Sequence, residues 1–271
     1  ANTSLSSVIT SYCIDRAYIG IIQRFPLLEL TDEVELILVW HDVRAFELPN
    51  KLLNIIFETK VNNLPSILFL IAKVVFYPLN VVTKNSRIKR SYNQIHKLAL
   101  RVNSKVFTVS NHTKFAINSI FPDILPDKIS VFWAPSTSSF DVTVKQVDVL
   151  KGERFWLMLG FGRWEKNNLS ILRALFKNKL FRQTNKKLVL VGGYQGTLAY
   201  RYLRYQPWIV FLDYQERDSL EWLYKNADVF VFPSFSEGFG YPPVEAMKHG
   251  TQVLASATSA ISEVCGSVPL Y

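Results

Sequence analysis

The sequence predicts an α/β protein built on parallel sheets. Short apolar, β-branched runs recur along the 271 residues, and several are continuously apolar, as strands buried on both faces of a parallel sheet are. Helix-patterned segments separate these runs, which is the βαβ alternation. Hydrophobic residues make up 49% and charged residues 20%, a balance that fills a core and excludes a mainly disordered chain.

The runs fall at 34–40 (VELILVW), 105–109 (KVFTV), 129–133 (ISVFW), 155–159 (FWLML), 187–191 (KLVLV), 208–212 (WIVFL), 229–232 (VFVF) and 252–255 (QVLA). One helix is predictable in detail. Asn168 is a good N-cap. Leu169, Leu172, Leu175 and Phe176 then form one apolar stripe. Lys177 and Lys179 follow where the helix dipole favours cations. The stretch 137–151 is polar and weakly patterned. It places a domain boundary between about residues 140 and 152, giving domains 1–145 and 146–271.

Residues 64–82 (LPSILFLIAKVVFYPLNVV) are nearly long enough to span a bilayer, but Lys73, Pro65 and Pro78 interrupt them. Beyond them Lys84, Arg87, Lys89, Arg90, Lys97 and Arg101 carry positive charge. A buried helix followed by a solvated basic one fits this pattern. So does peripheral docking on an anionic membrane surface.

Lysine and arginine number 31 against 22 aspartates and glutamates, a net charge of +9. Such a surface suits phosphate-rich partners. Nucleic acid is not expected among them, because no reader motif is present. Cys13 and Cys265 lie at opposite ends of the chain, which excludes a disulfide framework and a multi-cysteine zinc site. They are expected as buried free thiols in a reducing compartment. The four histidines show no ligand spacing, so no metal site is expected.

The chemistry concentrates in residues 228–271. An apolar strand ends at Pro233, the loop SFSEGFGY follows, and Pro242 and Pro243 suit the opening turn of a helix. Gly250 is placed to end that helix. Gly238 and Gly240 permit close backbone approach and positive φ. The helix N-terminus adds free N–H groups, so the unit favours a phosphate. Glu237 and Glu245 are poor phosphate ligands and good acceptors for paired sugar hydroxyls. Together these features describe a site for a nucleotide-sugar.

EGFGYPPVEAM, preceded by ADVFVFPS and followed by HGTQVLAS and ISEVCG, resembles the donor-binding motif of retaining glycosyltransferases of family 4. VLVGGYQG at 189–196, DSLEWLYKNADVF at 218–230 and LGFGRWEKNNLSILRAL at 159–175 extend the resemblance through the second domain. HDVRAFELP at 41–49 and VFTVSNHTKFAI at 106–117 carry a looser one into the first. The resemblance implies the GT-B fold, two Rossmann-like domains facing a cleft, with the donor in the second and the acceptor in the first. It implies roles residue by residue. Glu237 serves the transferred sugar's hydroxyls, and Gly238, Phe239 and Gly240 cradle sugar and diphosphate. Glu245 accepts from the ribose, and Lys166 neutralises the diphosphate. His41 reaches the donor sugar from the first domain. The family's arginine directly follows the strand glycine. Here Phe161 follows Gly160, and Arg163 stands after Gly162.

The implied activity is metal-independent transfer, with retention, of a sugar from a UDP- or GDP-linked donor to a glycan or lipid-linked acceptor. The donor is a substrate and no cofactor is implied. Bacterial surface polysaccharide assembly, in the cytoplasm or on the inner face of the plasma membrane, is the common setting. An epimerase or phosphorylase on a similar fold, or a non-catalytic homologue, are the alternatives. The family's first glycine-rich turn is not seen upstream of His41, and the chain stops at Tyr271, soon after the motif. A fragment trimmed at both ends, with an incomplete first domain, is therefore expected.

Overall fold

A computed structural model of the chain describes residues 16–19, 34–43, 71, 74, 92–93, 95–133, 144–178, 181, 183–193 and 195–271. All eight expected strands form, with small shifts at their ends. They belong to two compact units, three strands to the first and five to the second. Residues 144–150 run with the second unit. There Lys145 N–H donates to Asp218 O at 3.2 Å, and Leu150 is buried in the core.

The first unit holds β1 (Arg16–Ile19), β2 (Glu35–Trp40), β3 (Ser104–Thr108) and β4 (Ile129–Val131), paired in that order and all parallel. β1 is absent from the sequence expectation. Its four residues, RAYI, are too few to show a period. β2 buries alternate residues, Leu36, Leu38 and Trp40, against Val106, Ile117 and Ile129. The Trp40 ring meets Tyr92 and Phe121, with centroids 5.9 and 5.5 Å away. Helix α1 (Asn111–Ile120) begins at Ser110, whose side chain accepts from Thr113 N–H.

The second unit holds β5 (Arg154–Leu159), β6 (Lys186–Val191), β7 (Ile209–Leu212), β8 (Val229–Phe232) and β9 (Gln252–Ala255). Their order is β7-β6-β5-β8-β9, all parallel. Successive residues feed opposite faces. Leu157, Val189, Val191, Phe230 and Phe232 enter one core. Met158, Leu188, Leu190 and Val231 enter the other. This two-sided burial is the physical reason the strands read as unbroken apolar runs.

Among the described residues this unit also holds helices α2 (Asn168–Lys177), α3 (Leu198–Leu203), α4 (Arg217–Asn226), α5 (Tyr241–Lys248) and α6 (Ala260–Cys265). The α2 stripe packs as expected, with Leu172 and Leu175 buried and Leu169 and Phe176 partly so. Its N-cap is Asn167, not Asn168. Asn168 is buried instead, and its amide donates to Leu159 O at 3.2 Å. A side chain bonded to the end of β5 is not available to cap its own helix.

Cys265 is a buried free thiol, pushed up to about 11 by burial. Cys13, and all of 64–82 except positions 71 and 74, lie outside the described residues. Among the described residues, no helix is long and apolar enough to cross a membrane.

Candidate functional site

The second sheet reverses its winding between β5 and β8, because β6 lies on one side of β5 and β8 on the other. Open α/β sheets bind ligands in the crevice at the carboxyl ends of such a pair. Two loops leave those ends, 160–167 after β5 and 233–240 after β8. They carry every site residue predicted for the second domain except Glu245, which sits one turn into α5.

Backbone and hydroxyl contacts tie the loops together. Glu165 O accepts from Phe235 N–H at 2.9 Å and lies 3.1 Å from Ser234 Oγ. Across this seam Lys166 Nζ meets Glu237 Oε1 at 2.5 Å. Both residues are buried. Ser234 Oγ donates to the same Oε1 at 2.6 Å. The Lys166 ammonium also lies 4.9 Å from the centre of the Phe232 ring, within cation–π range.

Glycine is required beside the lysine. Gly160 has φ +70, and a Cβ there would come 2.9 Å from Lys166 Cγ. The lysine stem crosses the space a side chain would fill. Gly162 (φ +91) and Gly192 (φ +141) bring the ends of β5 and β6 into backbone contact; a Cβ on either would lie 2.8 Å from a carbonyl oxygen. Arg163 is committed to Glu165, with Nη2 at 2.5 Å and Nε at 2.8 Å from Oε1.

Gly240 caps α5 at φ +99, and Pro242 and Pro243 stand in its opening turn, as expected. Of the two loop glycines that permit positive φ, Gly240 adopts it and Gly238 does not. Phe239 is buried, its ring tilted against Tyr241. Gly250, at φ +75, follows the end of the helix and donates to Met247 O at 2.9 Å.

Glu245 Oε2 accepts from Tyr224 Oη at 2.9 Å. Burial holds the Glu245 carboxyl above its usual range. The Tyr224 hydrogen bond offsets this in part, the Glu221 charge adds to it, and Arg217 and His249 oppose it. Burial, then the Glu245 charge, pushes the Tyr224 hydroxyl well up. The sign for stability follows. A carboxyl raised in the folded state binds its proton more tightly there than in the unfolded chain. Stability therefore falls as pH rises from the ordinary carboxylate range to the raised value, and is level above it. Glu245→Gln is expected to remove this part of the fall, read as the difference between the two proteins' denaturant midpoints across that range.

A cavity of about 470 Å³ opens over the carboxyl ends of β5 and β6. Gly160, Gly162, Arg163, Lys166 and Glu245 line it, with Tyr214 and Gln215 at the turn after β7. Glu237 does not line it and is linked to it by its ion pair with Lys166, which does. His41 belongs to the first unit and stands half-buried at the end of β2, where its carbonyl accepts from Thr113 Oγ1 at 3.3 Å. Among the described residues, no group of three or more His, Cys, Asp or Glu could hold a metal ion.

Ser234, Glu165 and Tyr224 shape the site and were not expected from sequence. No sequence signal singles out Ser234, and Tyr224 reads as one more apolar residue of α4.

Arranged this way, the site offers a cation and glycine-lined backbone for a diphosphate, and carboxylates for hydroxyls. Residues 140–267 match the model of the family "Glycosyl transferases group 1". An uncharacterized glycosyltransferase of Methanocaldococcus jannaschii is 31% identical over 175 residues, which is 59% of this chain and 44% of that protein. O-antigen chain mannosyltransferase B of Escherichia coli is 28% identical over 217 residues, covering 73% and 56%. The chain thus spans about half the length of these curated relatives. Among solved structures, sucrose-phosphate synthase from Thermosynechococcus elongatus superposes with a TM-score of 0.56 at 14% identity, covering 95% of this chain and 59% of that one. At that identity the likeness bears on fold alone. The fold is of the GT-B class, with two Rossmann-like parallel-sheet units in one chain. Over residues 140–267 the second unit is similar to the glycosyl transferases group 1 domain.

Proposed function

We propose that the protein transfers a sugar from a UDP- or GDP-linked donor to a glycan or lipid-linked acceptor, with retention of configuration and without a metal. The observation that carries this reading is a glycine-lined cavity at the switch point lined by both Lys166 and Glu245, with Glu237 paired to Lys166. In glycosyl transfer, negative charge builds on the departing diphosphate and positive charge on the sugar carbon. Lys166 and the N-terminus of α5 are preorganised for the first. Arg163 joins them once it exchanges Glu165 for phosphate. Glu237 accepts from the transferred sugar, and Glu245 from the ribose. His41 is assigned to the donor sugar by resemblance. Similarity to an O-antigen chain mannosyltransferase supports a place in surface polysaccharide assembly. With the net charge of +9 it also supports peripheral contact with the anionic inner face of the plasma membrane.

Thermal unfolding with UDP, GDP, ADP and sulfate tests the reading. A nucleotide at ~100 times its dissociation constant adds about 2.7 kcal/mol of stability. One nucleoside diphosphate is expected to raise Tm clearly, and Glu245→Gln to shrink that shift. Equal shifts with sulfate and nucleotides, or none at all, would sink the proposal.

A further inference from the structure

Glu237 sits in a loop whose geometry is set from elsewhere, and one outside residue stands apart. Among the described residues two non-glycines have positive φ, Asn167 and Ser259. Asn167 follows Lys166 and lies in the ordinary left-handed well at φ 54, ψ 25, which asparagine tolerates. Ser259 has φ 51 and ψ −136. That is outside the left-handed well, in a region natural only to glycine, and such strain persists where the surroundings impose it.

The hydroxyl of Ser259 has a defined task. Its Oγ donates to Thr258 O at 2.8 Å, which turns a lone pair outward. That lone pair accepts from the backbone N–H of Glu237 at 2.8 Å. The same loop also holds the residue beside the carboxylate. Ser256 Oγ and Thr258 Oγ1 both donate to Ser234 O, the latter at 2.8 Å. Ser234 Oγ in turn donates to Glu237 Oε1 at 2.6 Å. Residues 256–259 therefore grip Glu237 twice, at its backbone directly and at its carboxylate through Ser234.

We infer that Ser259 is a positioning residue for Glu237, and that its strained backbone is kept so that its hydroxyl reaches the Glu237 N–H. A glycine at 259 would adopt this conformation freely but has no hydroxyl. Strain and positioning are thus separable by substitution. The consequence for turnover rests on the transfer reading; the hydrogen bond itself does not.

The experiment compares the wild type with Ser259→Gly and Ser259→Ala. Three quantities are read: Tm, exchange of the Glu237 amide proton by NMR, and hydrolysis of UDP-glucose and GDP-mannose. In Ser259→Gly, Tm is expected to hold or rise, while the Glu237 amide exchanges about tenfold faster. With the sugar nucleotide that is hydrolysed, kcat is expected to fall about tenfold with KM within about twofold. Ser259→Ala keeps the strain and loses the bond, so it is expected to match the glycine variant in exchange and lie below it in Tm. A purely structural serine would give a glycine variant with raised Tm, unchanged exchange and unchanged kcat, which overturns the inference. If neither sugar nucleotide is hydrolysed by the wild type, the transfer reading fails. Exchange at Glu237 then decides the positioning role alone.

Discussion

Lys166→Met is expected to lower stability by about 3–5 kcal/mol, because it leaves the Glu237 carboxylate buried without its cation. The same change removes the charge proposed to meet the leaving diphosphate. Sugar-nucleotide turnover is then expected to fall by at least ~1000-fold, about 4 kcal/mol of transition-state stabilisation. The double variant Lys166→Met/Glu237→Gln separates these effects. A neutral amide at 237 still accepts from Ser234, and the buried charge is gone. Most of the lost stability should return while turnover does not. Denaturant unfolding of both variants gives the first quantity and release of nucleoside diphosphate the second. A single variant within about 1 kcal/mol of wild type would show that water reaches this pair freely.

The second large effect concerns the glycines behind the cavity. Gly192→Ala is expected to destabilise by on the order of 2–4 kcal/mol, combining backbone strain with overpacking. Its Cβ would lie 2.8 Å from Phe161 O and 3.0 Å from Phe161 N, all rigid backbone. Relief requires parting the loop after β5 from the end of β6, so nucleotide binding should weaken as well. Gly152→Ala is the internal control. Its φ of +76 is also positive, but nothing lies within 4 Å of its Cβ. It should lose only about 1 kcal/mol from conformation alone and keep full nucleotide affinity. Equal losses in the two variants would mean that φ matters here and contact does not.

These predictions depend on features of different legibility. The strands of the second unit were readable because burial on both faces leaves no polar alternation to confuse them. The opening of α5 was readable because proline fixes φ locally and glycine accepts the positive φ before it. β1 was not, since four residues beginning with arginine carry no periodic signal. The cap of α2 was misplaced by one residue because two asparagines stand side by side. What distinguishes them is the end of β5, which recruits Asn168 through Leu159 O.

The site divides in the same way. Spacing marked Glu237 and Glu245 as carboxylates beside a phosphate-favouring helix terminus. It could not show that Lys166 and Glu237, 71 residues apart, form one buried pair. Nor could it show that Arg163 is held by Glu165, or that Tyr224 supports Glu245.

By itself, then, the sequence determined the fold class, the positions of every described strand but β1 and the residue types at the motif. Those depend on local backbone preference and on which side chains must leave water. The tertiary structure alone decided which charges pair, which glycines must lack a side chain and where a serine is held in a glycine conformation. Those depend on distances between loops brought together only when β8 docks beside β5.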